Sequence, residues 1–169
     1  YEALAEDKDQ TFEQSLASGV MVDGDRDLLF QMVSNLIDNA IKYTPEQGRI
    51  HIEVRQEGER AVFAVSDSGI GIPDDEKDQV FQRFYRVGKS RSLPGNGLGL
   101  SLVSAVAEIH QGEITLTDSY PDQQERGLTV TIRMPLRQPE RKQRRQAQAG
   151  KDENAGEETG SAPAEPRTT

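Results

Sequence analysis

The sequence predicts an α+β fold in two layers, a mixed and mostly antiparallel sheet covered on one face by helices. Three observations carry this. Leu29, Met32, Val33, Leu36, Ile37, Ala40 and Ile41 recur at helical spacing. Ile50, Ile52 and Val54 alternate with His51, Glu53 and Arg55, as in a half-buried strand, and Ala61–Val65 is almost continuously apolar, as in a central one. Helices and strands then follow one another without internal repeats, so each must bury its apolar side against the other layer.

In chain order, Tyr1–Lys8 is short, acidic and tolerant of helix, and reads as the end of a preceding helix. Thr11–Val22 reads as two short strands joined around Ala17-Ser18-Gly19, with Asp23-Gly24 as a turn. Asp25 is suited to cap the long helix, which Pro45 stops. After the two strands comes a connection of about two dozen residues from Gly71 to Gly95, with a short helix expected near Asp74–Val80. A second helix is expected from about Leu98 to His110, ended by Gly112, with strands at Glu113–Thr117 and Gly127–Met134. Residues 138–169 hold no Val, Ile, Leu, Met or aromatic side chain, and such a segment cannot offset its ordering entropy by burial. The expected organisation is therefore residues 1–9 as the end of a preceding helix, 10–137 as one domain, and 138–169 as a disordered tail.

A chain of 169 residues with 34% hydrophobic content supports one modest core. A net charge of −9 and a pI near 4.8 argue against nucleic acid or an anionic membrane surface as partners, because their phosphates would be repelled. With no Cys there is no disulfide and no thiolate metal site. No apolar run approaches the roughly 18 residues of a membrane span, and the start at Tyr1 leads us to expect a piece of a longer protein.

Four segments carry chemistry. On the first long helix Asn35, Asn39, Lys42 and Tyr43 share one flank beside the apolar stripe. Amide oxygens there can complete the oxygen shell of Mg²⁺ and Lys42 can neutralise a phosphate, while the same residues also suit an ordinary soluble face. Asp67 ends the central strand before Gly69 and Gly71. Its carboxylate can accept from the exocyclic amino group of adenine, and the glycines let backbone approach a flat ligand; an ordinary Asp-Ser-Gly turn fits the same residues equally. Gly95–Gly99 opens directly into the second helix, where free N–H groups and a partial positive charge favour phosphate, though glycines there also serve tight turns or close packing. Between them, Phe81, Phe84 and Tyr85 are suited to anchor a lid on the body of the domain, and Arg83, Arg86 and Lys89 supply positive charge.

In order, Asn35–Tyr43, Asp67–Gly71, Phe81–Arg86 and Gly95–Leu100 resemble the N, G1, F and G2 boxes of the ATP-binding catalytic domain of bacterial sensor histidine kinases, over roughly residues 10 to 136. The resemblance implies the Bergerat-type ATP-binding fold with a mobile ATP lid, shared with gyrase, chaperone and mismatch-repair ATPases, and ATP and Mg²⁺ as cofactors. It implies Asn39 as the Mg²⁺ ligand, Asn35 and Lys42 facing the phosphates, and Tyr43 near the nucleoside. It further implies a nucleotide pocket of Asp67, Gly69, Ile70, Gly71, Ile72, Phe84, Gly95, Asn96, Gly97, Leu98, Gly99 and Leu100. The residues acting in transfer are then Asn35, Lys42 and Arg86.

In the hydrolysing relatives an acidic residue lies one helical turn before the Mg²⁺-binding Asn. Here that residue is Asn35, an amide that cannot take up a proton from water. The resemblance thus implies transfer to a His on a separate dimerisation and phosphoacceptor domain, and a cognate response regulator beyond it. Neither His51 nor His110 sits in the acceptor pattern, so this chain is expected to bind ATP without phosphorylating itself. An isolated monomer without membrane contact, facing the cytoplasm within a homodimeric, membrane-anchored parent, is the implied setting. An ATP-hydrolysing member of the superfamily, or a nucleotide binder without transferase activity, is the alternative.

Overall fold

The computed structural model describes residues 1–88, 96–123 and 126–137. Apart from Arg137 these fall in one compact unit, Tyr1–Leu136. The tail expected over 138–169 lies outside the described residues, as do Lys89 and Gly95.

A five-stranded sheet in the order β1-β2-β3-β5-β4 forms the frame. Its strands are β1 (Thr11–Leu16), β2 (Arg49–Glu57), β3 (Arg60–Asp67), β4 (Glu113–Thr117) and β5 (Leu128–Pro135). The nearly continuous apolar run of β3 takes the middle position, where Ala61–Val65 are all buried. Among the described residues three α-helices accompany the sheet: α1 (Glu2–Glu6), α2 (Arg26–Tyr43) and α3 (Gly99–Ile109). Among the described residues none is long and apolar enough to cross a membrane.

Two expectations are corrected. Thr11–Val22 holds one strand, not two: β1 pairs in parallel with β2, Thr11 opposite Arg49 and Leu16 opposite Val54. A parallel pair needs a crossover, which α2 supplies, so residues 17–24 lead the chain back towards α2 instead of forming a hairpin. Val22 packs on the core while Met21 faces out. From β2 onward the neighbours are antiparallel, so the sheet is mixed and mostly antiparallel, as expected. Near Asp74–Val80 there is a single 3₁₀ turn, Asp74–Glu76, in place of a helix; Val80 is the one buried residue of that stretch, too little apolar surface to hold a full helix down.

The caps show why the helices begin and end where they do. The Asp25 carboxylate accepts from the N–H groups of Asp27 (2.9 Å) and Leu28 (3.0 Å), starting α2. At the end of α3 the left-handed residue is Gln111 (φ 54°), and the Gly112 N–H donates to Ala107 O (2.8 Å) as in a Schellman cap. Gly112 itself sits in a tight space: a Cβ would lie 3.0 Å from the Met134 side chain, which would have to give way.

Between the layers α2 buries Met32, Leu36, Ile37, Ala40 and Ile41, and α3 buries Val103, Val106 and Ala107, against Ile50, Ile52, Phe63, Val65, Val130 and Ile132. Each large apolar side chain so buried contributes about 1.5–3 kcal/mol. The two helices run antiparallel in contact. His110 Nδ1 donates to Val106 O (2.7 Å) and its Nε2 accepts from the Asp25 N–H (3.0 Å), tying the end of α3 to the start of α2. At the other end, Gly99 lies against Asn35 and Asn39.

Candidate functional site

That second junction opens into a cavity of about 300 Å³. It is lined by Asn35, Asn39, Lys42 and Tyr43 from α2, by Asp67, Ile70, Gly71 and Ile72 around the end of β3, by Tyr85, Arg86 and Val87, and by Asn96–Leu100 at the start of α3. Leu36, Ala40, Val65, Val80, Leu128 and Val130 make its apolar wall. Segments far apart in sequence thus share one space. Gly69 and Phe84 are not among the lining residues.

Asp67 is 7% exposed in a position where a carboxylate needs a reason to be. Burial pushes its carboxyl up to about 6, and backbone N–H groups of Gly69 and Leu128 pull the other way. The Gly69 N–H reaches Oδ1 at 2.8 Å. Two fixed donors thus orient a buried acceptor at the cavity wall, an arrangement suited to a donor group on a flat ligand.

On α2, Asn35 Nδ2 donates to Gln31 O (2.8 Å), leaving Oδ1 on the side of α3, 3.3 Å from where a Cβ on Gly99 would lie. The same Cβ would lie 3.1 Å from Asn39 Nδ2, so a larger residue at position 99 would need this pair of amides to give way. Leu98 supplies no side-chain cap, which leaves the first turn of α3 without a side-chain acceptor from its own N-cap. Lys42 Nζ donates to the Tyr43 hydroxyl (3.0 Å) and sits 4.5 Å from the centre of its ring. Among the described residues no three His, Cys, Asp or Glu side chains come together as a metal cage. The side-chain amides of Asn35, Asn39 and Asn96 all line the cavity.

The lid segment is held differently from expectation. Phe84 is 72% exposed, and its backbone, not its ring, makes the attachment: the Phe84 N–H donates to Gly97 O (3.0 Å). Both residues have positive φ, 66° each, and a Cβ on Gly97 would collide with Tyr85 O. With Phe84 in the left-handed region its ring is turned to solvent, which a count of aromatic residues does not reveal. The Tyr85 hydroxyl donates to Glu76 Oε2 (2.7 Å), a residue of the same connection, so this bond ties the segment to itself. Phe81 lies beside α3 and β4, at a shallow groove with Ala107 and Ile114.

Sequence reasoning missed the apolar wall and the cavity positions of Tyr85 and Val87. Leu36, Val65 and Val130 read as core because they also are core, and only their place at one end of the sheet makes them pocket.

The chain can be compared with known proteins. It is 41% identical over 122 residues to the signal transduction histidine-protein kinase/phosphatase MprB of Mycobacterium leprae, covering 72% of this chain and 24% of that protein. It is 38% identical over 124 residues to the sensor histidine kinase RppB of a Synechocystis species, covering 72% and 26%. The chain thus spans about a quarter of the length of these relatives. A solved structure of a mycobacterial sensor histidine kinase MprB superposes with a TM-score of 0.75 at 34% identity, covering 82% of this chain and 91% of that one. The profile of the histidine kinase-, DNA gyrase B- and HSP90-like ATPases matches residues 24–138, all the cavity-lining residues included, and the chain belongs to that family.

Proposed function

We propose that this chain binds ATP with Mg²⁺ and transfers the γ-phosphoryl group to a histidine on a separate dimerisation and phosphoacceptor domain, as the catalytic part of a two-component sensor kinase. The observation that carries the reading is the meeting, in one cavity, of a buried carboxylate at one end with two amides and an uncapped helix start at the other. One end suits a base that donates a hydrogen bond, the other a chain of phosphates.

In this reading Asp67 accepts from the exocyclic amino group of adenine, with Ile70 and Ile72 against the base and Tyr43 near the nucleoside. The backbone between Asn96 and Leu100 receives the phosphates. Asn39, with Asn35 beside it, offers amide oxygen to Mg²⁺, whose charge neutralisation is the chemistry the ion supplies when bound. Lys42 and Arg86 add positive charge, and Asn35, unable to accept a proton, leaves water unactivated. Transfer then rests on positioning and electrostatics.

The acceptor is supplied from outside. His51 Nε2 is engaged with Ser15 Oγ (3.0 Å), and His110 with Val106 and Asp25. Residues 1–9 would be the end of a helix leading in from that acceptor domain, a cognate response regulator would take the phosphoryl group onward, and the parent would be a membrane-anchored homodimer with this part in the cytoplasm.

The test is a mixture of the chain with γ-labelled ATP, Mg²⁺ and a matching dimerisation and phosphoacceptor domain. Label on the acceptor that is acid-labile and base-stable is the expected result. Free phosphate at comparable rate without acceptor would make the chain a hydrolase instead, and nucleotide binding with no transfer at all would make it a binding module.

A further inference from the structure

The loop between β4 and β5 touches the Asp67 turn at more places than a connection requires. Gly127 N–H donates to Gly69 O (3.1 Å), and Gly127 has φ 61° and so little room that a Cβ would collide with Asp67 O. The Leu128 N–H binds the Asp67 carboxylate. Ser119, Thr129 and Ser66 form a chain of hydroxyls, 2.8 and 2.9 Å apart, that ends on the residue before Asp67. Tyr120 holds the Arg49 guanidinium 5.1 Å from its ring, and Arg49 is bonded through its backbone to Ser68. Ser119, Tyr120 and Gly127 of this connection, together with Leu128 and Thr129 at the start of β5, therefore hold the residues on both sides of the carboxylate.

The loop is itself held from the opposite side. Lys77, just after the 3₁₀ turn that begins the lid segment, donates to Asp118 Oδ1 (2.7 Å), whose other oxygen takes Arg126 Nη1 (3.2 Å). Side chains of Lys77 and Asp118 are 18% and 12% exposed, so the pair is sheltered in a way that the Lys77–Asp74 contact, with Asp74 76% exposed, is not. Next to Lys77, Glu76 holds the Tyr85 hydroxyl of the cavity wall.

We infer that Lys77 and Asp118 are positioning residues for base recognition: their ion pair locks the β4–β5 loop against the root of the lid, and the loop in turn aims the Asp67 carboxylate. Neither residue lines the cavity. The inference rests on the adenine-binding reading of Asp67. It requires that losing the pair weaken the contact with the adenine amino group and leave contacts with ribose and phosphates in place.

The experiment is a competition titration of the full chain with ATP and with inosine triphosphate, which carries oxygen where adenine carries its amino group. Wild type prefers ATP. Lys77→Met and Asp118→Asn each narrow the ATP-to-inosine-triphosphate affinity ratio by roughly three- to tenfold, Lys77→Arg restores it, and the double variant is no worse than either single one, as coupled residues require. If both nucleotides weaken equally, the pair only supports the fold and the positioning role is overturned. An unchanged ratio in variants of a wild type that does bind ATP overturns it as well. Should the wild type fail to bind ATP, the nucleotide reading falls first and takes this inference with it.

Discussion

Asp67 shows at a single residue the conflict between stability and recognition. A carboxyl that ionises at about 6 in the folded chain and near 3.8 when unfolded has its charged form disfavoured by burial. Its folded value is the higher one, so its contribution to stability is fully present below about 3.8 and is lost as pH rises through about 6. The difference of about two pH units corresponds to on the order of 3 kcal/mol at neutral pH. Asp67→Asn keeps the shape and removes the ionisation. Unfolding free energies measured at pH 4 and pH 7.5 should converge for the variant relative to wild type, by up to that amount. Parallel pH profiles for the two proteins would show that burial exacts no such cost.

The same logic of partners governs the elements. The start of α2 was legible: Asp25 precedes the apolar stripe and accepts the first N–H groups. Its end was only half legible, because Pro45 marks the stop but not what satisfies the last carbonyls. Those partners come from more than thirty residues away: Gln10 Nε2 donates to Ile41 O (3.0 Å) and Thr44 O (2.7 Å), and Lys8 Nζ to Ile41 O (2.9 Å). Ala5 of α1, fully buried, holds this segment on the core. Local spacing cannot report such contacts, and for the same reason it could not show that β1 pairs in parallel with β2. Gln10 is 6% exposed and its Oε1 has no hydrogen-bond partner among the described residues. Gln10→Ala removes two donated bonds and one unpartnered oxygen, for a net loss of about 1–2 kcal/mol. Gln10→Glu sets a carboxylate against two carbonyl oxygens and should cost more. Urea unfolding is expected to rank wild type above Gln10→Ala above Gln10→Glu, and a Glu variant as stable as wild type would mean that these carbonyls need no donor.

At the scale of the molecule, four short segments read one by one as surface helix, turn, aromatic cluster and glycine-rich loop meet at one end of a two-layer sandwich, where β3 ends and α3 begins. Their order along the chain made the family legible; the cavity between them depends on the sheet order β1-β2-β3-β5-β4, which no segment states alone. A protein of net charge −9 that takes up a polyphosphate must neutralise it locally. Among the described residues the cations lining the cavity are Lys42 and Arg86, fewer than the charges of a triphosphate, and Mg²⁺ is expected to carry part of the load. Nucleotide at about 100 times its Kd raises stability by about 2.7 kcal/mol, which for a folded unit of this size means a rise in Tm on the order of 10 °C. Thermal unfolding with ATP and Mg²⁺ should show that rise, and chelating the metal with EDTA at the same ATP concentration should remove most of it. An equal rise with and without the chelator would assign the phosphates to the protein's own donors, leaving Asn39 without the role of metal ligand. Asn39→Ala separates the cases further: it should abolish the Mg²⁺-dependent part of the rise and lower the ligand-free Tm by no more than a few degrees, since its side chain is only half-buried at the edge of α2.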